Sequence, residues 1–327
     1  MRRRAFIGLL GGAAAWPLTM RAQDASRPVV GFLNLASAAQ SAERVALFRK
    51  GLNDMGFVEG RNIAVEYRWA DGRYEVLPQL AAELVKRQPA VFAATGAAAV
   101  RAVKAAAATT PIVFYIGDDP IAAGFVASLS RPGGNITGIY NWSQQVAPKR
   151  LQLLHELVPG AKIVGYLVNP DNAATVEQRS IDMRAAGEKL GLQVRELRAR
   201  SEPEISAAFD SLKTMGAAGL LIAGDLFFAQ QNERLATLAQ QHALPAVSEY
   251  REFATAGGLA SYGVGVSTDS YVHVGTYTGR ILKGEKPVDL PVQQATSVRL
   301  VLNLKAAKAL GVTVPLPLLG RADEVIE

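Results

Sequence analysis

The chain has 327 residues, no cysteine and a formal net charge of +6. Much of this charge lies at the amino terminus, because residues 23–327 hold 31 basic and 29 acidic residues, too even a balance to indicate binding to nucleic acid or to a membrane surface. The absence of cysteine excludes a disulfide scaffold, a lipid-modified cysteine and a cysteine nucleophile.

Residues 1–22 have the organisation of an export signal. Three arginines at positions 2–4 precede an apolar run over residues 8–17, and Ala22 stands at a suitable cleavage point. The run is shorter than the roughly 20 apolar residues that a transmembrane helix needs. We therefore expect a cleaved signal peptide over 1–22, of the twin-arginine type or read by the general export route. A membrane-tethered helix is the alternative, because Met20 stands where a small residue is preferred.

From residue 28 onward, short β-branched segments alternate with stretches that have apolar residues at helical spacing. The first series predicts strands over 29–33, 63–69, 90–94, 112–115 and 135–139. It predicts helices over 42–55, 74–87, 97–107 and 120–129.

A second series of the same kind follows. It predicts strands over 162–168, 193–198, 219–222, 246–248 and 260–263, with helices over 149–157, 175–190, 202–215 and 232–242. The remainder predicts a helix over 267–283, an extended piece over 292–295 and a helix over 302–310.

Strict alternation of strands and helices predicts an α/β fold with parallel sheets covered by helices on both faces. Two series of domain size predict two doubly wound lobes. The first series ends near residues 140–148, and the second sheet is complete by residue 263, so the chain is expected to return there. We therefore assign 28–139 and 264–290 to the first lobe. The second lobe takes 140–263 and 291–327.

Polar, acidic and aromatic side chains follow the predicted strands. Ligands of open α/β sheets bind beyond the carboxyl ends of the strands, and free N–H groups where helices begin suit a carboxylate. Acidic groups at this edge can accept hydrogen bonds from an ammonium group, and aromatic rings can pack on an apolar body. The sequence therefore predicts an amino-acid-like or aromatic carboxylate ligand. The candidate ligand-binding residues are Asn34, Ser37, Thr95, Gly96, Tyr115, Asp118, Asp119, Asn141, Trp142, Asn169, Asn172, Asp225, Phe227 and Glu249.

Several of these candidates have a purely structural alternative. Ser37 and Asn172 suit helix N-caps, and Asp119 before Pro120 suits an N-cap followed by proline at the first helical position. Asp225 is the strongest candidate for a ligand contact, because it follows a strand with a buried pattern. Phe227 and its neighbour Phe228 are adjacent, so at most one of the two is expected in the core.

Catalytic motifs are missing from the sequence. It contains no Gly-x-Ser-x-Gly elbow and no P-loop, and its three histidines are far apart without partners at metal-ligand spacing. We therefore expect no enzyme activity, no metal and no cofactor. An exported hydrolase acting through Asp118 or Asp225 is one alternative; a transcriptional regulator would need a helix-turn-helix before the first strand, where only the leader stands.

Four segments carry a resemblance to a known family: MRRRAFIGLLGG at 1–12, FRKGLNDMGFVEGRN at 48–62, SRPGGNITG at 130–138 and NLKAAKALG at 303–311. In this order they are similar to ABC-transporter substrate-binding proteins of the tryptophan/tyrosine-binding type. The resemblance implies a type I periplasmic-binding-protein fold, with two lobes joined by a three-strand hinge and closing on a small ligand. It places Thr95, Asp119 and Asn172 at the cleft, with Asp225 as the amine partner, and it does not fix the ligand.

The sequence as a whole predicts a periplasmic, freely diffusing and monomeric receptor. Its expected partners are a small-molecule ligand and the membrane permease of an ABC transporter, without nucleic acid. A receptor that reports to a membrane signalling protein is the alternative that the sequence does not separate from an importer.

Overall fold

The computed structural model describes residues 27–141, 143, 145–264, 268–295 and 298–327. The predicted signal peptide and Trp142 lie outside this part of the chain. The described residues form two β-sheets, one of six and one of seven strands, each covered by helices on both faces. This is the two-lobed α/β architecture expected from the alternating pattern.

The first sheet is parallel and has the strand order β11-β5-β4-β3-β1-β2. The strands are β1 (Val29–Asn34), β2 (Ala64–Trp69), β3 (Val91–Thr95), β4 (Ile112–Ile116), β5 (Ile136–Asn141) and β11 (Gln293–Ala295).

Helices α2 (Leu77–Val85) and α3 (Ala97–Ala106) cover one face of this sheet. The other face carries α1 (Ala42–Asp54) and α10 (Thr268–Leu282), which contact each other closely. Gly51 and Gly275 permit this contact, since a Cβ on either one would overlap the backbone of the other helix. The return of the chain to the first lobe after residue 263 therefore places α10 on the first sheet.

The second sheet has the order β13-β12-β10-β9-β8-β6-β7. All its pairs are parallel except β10 with β12, which run antiparallel. The strands are β6 (Ile163–Val168), β7 (Gln193–Arg198), β8 (Gly219–Ile222), β9 (Ala246–Ser248), β10 (Ala260–Gly263), β12 (Arg299–Asn303) and β13 (Glu324–Ile326).

The helices of the second lobe pack on both faces of this sheet. They include three short helices that the sequence did not predict, α7, α9 and α12, because each has only four or five residues and no measurable periodicity. The helices are α4 (Ala147–Leu157), α5 (Ala173–Lys189), α6 (Glu202–Thr214), α7 (Leu226–Gln230), α8 (Asn232–Gln241), α9 (Arg251–Thr255), α11 (Leu304–Ala309) and α12 (Leu316–Leu319).

Two predicted elements are wrong. Residues 120–129 form turns rather than a helix, since Gly124 takes a left-handed φ of 70° and Asp119 accepts hydrogen bonds from the Ile121 and Ala122 amides within one turn. The helix predicted over 302–310 begins only at Leu304, because the apolar run before it is strand β12. A short apolar run alone does not distinguish a strand from a buried helix.

The chain passes between the two sheets three times: between β5 and α4, between β10 and α10, and between β11 and β12. Three crossings form the hinge of the architecture that the resemblance implied. Strand β11 pairs with β5 of the first sheet, although residues 291–327 were assigned to the second lobe. The exact division of the chain into lobes stays a prediction. Within the described residues, no helix is both long and apolar enough to cross a bilayer.

Candidate functional site

A cleft lies between the lobes, at the carboxyl ends of β3 and β4 on one side and of β8 and β9 on the other. Both lobes line it, as expected for a ligand site in this architecture. The first-lobe face includes Leu35, Arg44, Tyr74, Thr95, residues 96–99, Tyr115, residues 116–118, Asn141 and Tyr271. The second-lobe face includes Asn172, Arg179, Gly224, Asp225, Leu226, Glu249 and Tyr250.

Asp225 follows β8 and stands at the N-terminus of α7, where its Oδ1 accepts the Phe227 amide at 2.9 Å. The amides of Asn169 and Asn172, which follow β6, donate to the same carboxylate at 3.1 and 3.3 Å. Tyr74 of the first lobe donates its hydroxyl to Oδ2 at 2.6 Å. Four donors occupy this carboxylate, and the side chain is only 5% exposed. Asp225 therefore caps a helix and bridges the lobes.

A second contact across the cleft joins Asp118, which follows β4, to Arg179 of α5. Both side chains are nearly buried. Burial lowers the pKa of Arg179, and Asp118, Tyr166 and Asp225 together raise it by more. Leu226 also crosses the cleft and packs on the core of the first lobe. Gly96 has a φ of 88°, and a Cβ there would lie 3.2 Å from Leu226 Cδ1. Polar and apolar contacts therefore hold the two faces together.

Glu249 follows β9 and differs from Asp225 in its partners. Neither of its carboxylate oxygens accepts a hydrogen bond from the described residues, although the side chain is only 5% exposed. Its one cationic partner is Arg150 of α4, at 3.5 Å. Gly224 leaves room for the carboxylate, because a Cβ there would overlap Glu249 Oε2. Glu249 is thus a buried anion with unused hydrogen-bonding capacity.

Arg150 connects Glu249 to the hinge. The guanidinium is 1% exposed and donates to the carbonyl of Ser143 at 3.0 Å and to that of Tyr262 at 3.2 Å. Ser143 lies in the first crossing between the lobes, and Tyr262 lies at the end of β10, just before the second. Arg150 therefore links Glu249 to both crossings through a single side chain.

Tyrosines form the aromatic part of the cleft. The rings of Tyr115 and Tyr271 lie 4.9 Å apart, and Asn141 donates to the Tyr115 hydroxyl oxygen at 2.8 Å. Burial raises the pKa of Tyr115, Tyr250 and Tyr271. These hydroxyls consequently stay protonated at neutral pH and act as hydrogen-bond donors.

Eight of the candidate residues from the sequence line this cleft, and the structure brings them together. They are Thr95, Gly96, Tyr115, Asp118, Asn141, Asn172, Asp225 and Glu249. Asn172 does not cap α5 with its side chain, which donates to Asp225 instead.

Five other candidates lie off the cleft lining: Asn34, Ser37, Asp119, Asn169 and Phe227. Asn34 folds back on its own loop, accepting the Ala36 amide, and Ser37 accepts the Gln40 amide. Asp119 stabilises the turn after β4 and is not among the cleft residues. Asn169 contacts Asp225 from behind. Trp142 lies outside the described residues.

Phe227 and Phe228 are both buried in the core of the second lobe, so the expectation that at most one of them lies in the core is wrong. Their rings lie 5.4 Å apart at an angle of 51°. The short helix α7 turns both side chains toward the sheet, which explains why Phe227 does not reach the cleft.

The sequence analysis missed several cleft residues that lie outside the ends of strands, among them Arg44, Tyr74, Arg179 and Tyr271. All four lie on helices or on the turn before one, whereas only the residues that follow strands were considered. Arg44 nonetheless left a signal, because it stands in the first turn of α1, where the helix dipole disfavours a positive charge.

Comparisons with known proteins agree with this architecture. A family model described as "ABC transporter substrate binding protein" matches residues 31–326. A crystal structure of the ABC domain in complex with L-Trp from Streptococcus pneumonia is similar, with a TM-score of 0.80 and 26% identity over 92% of this chain and 100% of that one.

Two further proteins are similar. A conserved domain protein from Vibrio cholerae has a TM-score of 0.82 and 26% identity, covering 91% of this chain and 99% of that one. A protein of Clostridioides difficile named "Tyrosine-binding protein" is 25% identical over 264 residues, which cover 80% of this chain and 75% of that protein.

Proposed function

This chain belongs to the family of ABC transporter substrate-binding proteins, and on that premise we propose that it binds an aromatic amino acid or a close analogue between its lobes. The proposal also covers where the protein acts and which partners it has. The chain is exported with its leader removed near Ala22, acts in the periplasm as a monomer, and delivers its ligand to the permease of an ABC transporter.

The observation that carries the ligand class is the composition of the cleft. Glu249 offers a buried carboxylate with unused hydrogen-bonding capacity to an ammonium group. Tyr115 and Tyr271 offer ring faces, and the small residues 96–99 leave space for a flat side chain. The names of two relatives, one crystallised with L-Trp and one called tyrosine-binding, support the same class.

This proposal assigns the ammonium group to Glu249 rather than to Asp225, which was the candidate from the sequence. An ammonium ion donates three hydrogen bonds and needs acceptors that are free. Asp225 already accepts four hydrogen bonds, from Tyr74, Asn169, Asn172 and the Phe227 amide. Asp225 instead keeps the two faces at a fixed distance.

The mechanism is closure of the two lobes about the hinge. A ligand that contacts both faces favours the closed arrangement in proportion to its differential contacts. Binding and release of this kind need no bond making or breaking. No nucleophile and base are paired in the described part of the cleft, so we propose that the protein has no catalytic activity.

A thermal unfolding screen tests the proposal. L-tryptophan, L-tyrosine, L-phenylalanine and their deaminated acids are compared with glucose, ribose and short peptides. A ligand at 100 times its Kd should stabilise the protein by about 2.7 kcal/mol, and we expect this from at least one aromatic amino acid. Stabilisation by a sugar or peptide, with none by an aromatic compound, would contradict the proposed ligand class.

A further inference from the structure

Arg44 is a cation of the cleft without a bonded partner. It lies in the first turn of α1, half-buried, and lines the cleft on the first-lobe face. Among the described residues, its guanidinium makes no hydrogen bond and no ion pair within 4.0 Å. Burial lowers its pKa, but Tyr271, Glu252, Tyr250 and Tyr115 together raise it by more, so the charge is retained.

This position is unfavourable for a cation unless an anion joins it. The amino-terminal end of a helix carries partial positive charge, which opposes Arg44 and attracts an anion to the same point. Partial removal from water adds to the cost of a charge that has no bonded partner. Glu252 acts on Arg44 electrostatically without pairing with it within 4.0 Å, so the guanidinium keeps its hydrogen-bonding capacity for an anion.

Two hydroxyl groups near Arg44 can donate to the same anion. The Tyr115 oxygen accepts a hydrogen bond from Asn141, which leaves its own proton free to be donated. No described residue accepts a hydrogen bond from the Tyr250 hydroxyl. Both hydroxyls act electrostatically on Arg44. A guanidinium with two hydroxyl donors suits the two oxygens of a carboxylate.

The other arginines of the cleft are occupied. Arg179 pairs with Asp118 across the cleft, and Arg150 lies against Glu249 and two backbone carbonyls. Arg251 pairs with Glu324 at 2.6 Å. Arg44 is thus the arginine of the described cleft that is available to a ligand.

We infer that Arg44, with the hydroxyls of Tyr115 and Tyr250, forms the subsite for the ligand's carboxylate. This inference rests on the proposed function and fixes the ligand's orientation: the carboxylate lies against Arg44 of the first lobe, with the Tyr250 hydroxyl of the second lobe beside it, and the ammonium group lies against Glu249. Arg44 and Glu249 both act electrostatically on Tyr115 and on Tyr250, and all four line the same cleft. The opposite charges of one ligand therefore bind opposite lobes.

The test compares Arg44→Gln with wild type by titration calorimetry, using L-tryptophan, L-tyrosine and the amines tryptamine and tyramine. Loss of a desolvated charge pair costs about 2–5 kcal/mol, so we expect the Kd of the amino acids to rise about 30-fold or more. The amines lack a carboxylate, and their weak binding should change less than 3-fold. The Kd of Arg44→Lys should lie between those of wild type and Arg44→Gln, because a lysine ammonium group lacks the bidentate geometry of a guanidinium.

Arg49→Gln is the matched control, because Arg49 lies on the same helix but on its exposed face, paired with Glu59 at 2.5 Å. Its ligand affinity should equal that of wild type. An Arg44→Gln protein that is folded and binds the amino acids within 3-fold of wild type overturns the subsite but leaves the proposed function intact.

If wild type binds neither tryptophan nor tyrosine, the proposed ligand class fails, and a second comparison decides the subsite. Matched acids and amides, such as 3-phenylpropionate and 3-phenylpropionamide, are then titrated into wild type and Arg44→Gln. Selection of acids over amides in wild type alone supports the subsite. Equal binding of both, or binding of neither, overturns it.

Discussion

The two faces of the cleft differ in charge and in how completely their polar groups are bonded. The first-lobe face presents the unpaired cation Arg44 beside protonated tyrosines. The second-lobe face presents the carboxylates of Asp225 and Glu249. A ligand with both charges therefore finds half of its partners on each lobe. Such a division makes lobe closure the step at which recognition is completed.

The second-lobe face is also the more rigid of the two. Asp225 is held by two asparagine side chains and a backbone amide of its own lobe. Glu249 is backed by Arg150, which bonds to the hinge carbonyls. Arg44 has no such support on the first-lobe face. We infer that the second lobe is a preorganised platform and that the first lobe brings a cation to it.

The largest expected effect comes from Glu249→Gln, which removes the anion of the second face. An ammonium ligand then loses a desolvated charge partner, and Arg150 is left as an uncompensated buried cation. We expect the Kd of L-tryptophan to rise by the equivalent of about 3 kcal/mol or more, measured by calorimetry, with a lower melting temperature. The affinity for indole-3-propionate, which lacks the ammonium group, should fall much less.

Glu188→Gln is the control for this variant, because Glu188 is exposed on α5 of the same lobe and is not among the cleft residues. It should change the affinity for tryptophan little. Equal losses for tryptophan and for indole-3-propionate in Glu249→Gln would show that Glu249 supports the fold rather than the ammonium group.

Gly224→Ala tests the same face without changing any charge. A Cβ at this position overlaps Glu249 Oε2, so the carboxylate must move away from its place beside the ligand. Overpacking of this kind typically costs about 1–3 kcal/mol. We expect weaker binding of amino acids, with Gly160→Ala as a control, since a Cβ on Gly160 meets no atom within 4 Å. Unchanged affinity in Gly224→Ala would show that ligand binding does not depend on the position of Glu249.

A smaller effect is expected from the ion pair between Asp118 and Arg179, which joins the faces directly. Arg179→Met leaves Asp118 unpaired in the closed arrangement, and we expect a loss of about 2 kcal/mol in ligand binding. Removing both charges is less costly than removing one, so Asp118→Asn combined with Arg179→Met should recover part of the affinity. Additive losses in this double-mutant cycle would mean that the two residues do not interact.

Cleft residues that lie on helices were harder to predict from the sequence than those that follow strands. Asp225 and Glu249 follow strands, and the rule that ligands bind beyond strand ends found both. Arg44 and Tyr271 reach the cleft from helices α1 and α10, and α10 arrives only because the chain returns to the first lobe. A rule based on local position does not contain this tertiary information.

The same limit applies to the fold and to the roles of individual residues. The parallel series was predicted closely, whereas β12, antiparallel to β10, was not predicted, and its last two residues were assigned to the helix that follows. Asp225 was found at the cleft, but its role depends on Asn169 and Asn172, which a neighbouring strand brings to it. Strand pairing decides which polar groups are already satisfied, and sequence position alone does not reveal that.

The smallest effect is expected for Tyr74→Phe, which removes one neutral donor between the faces. Asp225 keeps its three other hydrogen bonds. When the cleft opens, water replaces the Tyr74 hydroxyl as the donor to Asp225. We therefore expect a loss of about 1.5 kcal/mol, at the low end for a hydrogen bond to a charged group. Because Tyr74 acts on closure of the lobes, the binding free energies of tryptophan and indole-3-propionate should weaken by the same amount, as measured by calorimetry. A loss confined to tryptophan would instead place Tyr74 and Asp225 beside the ammonium group, and the assignment of that group to Glu249 would be wrong.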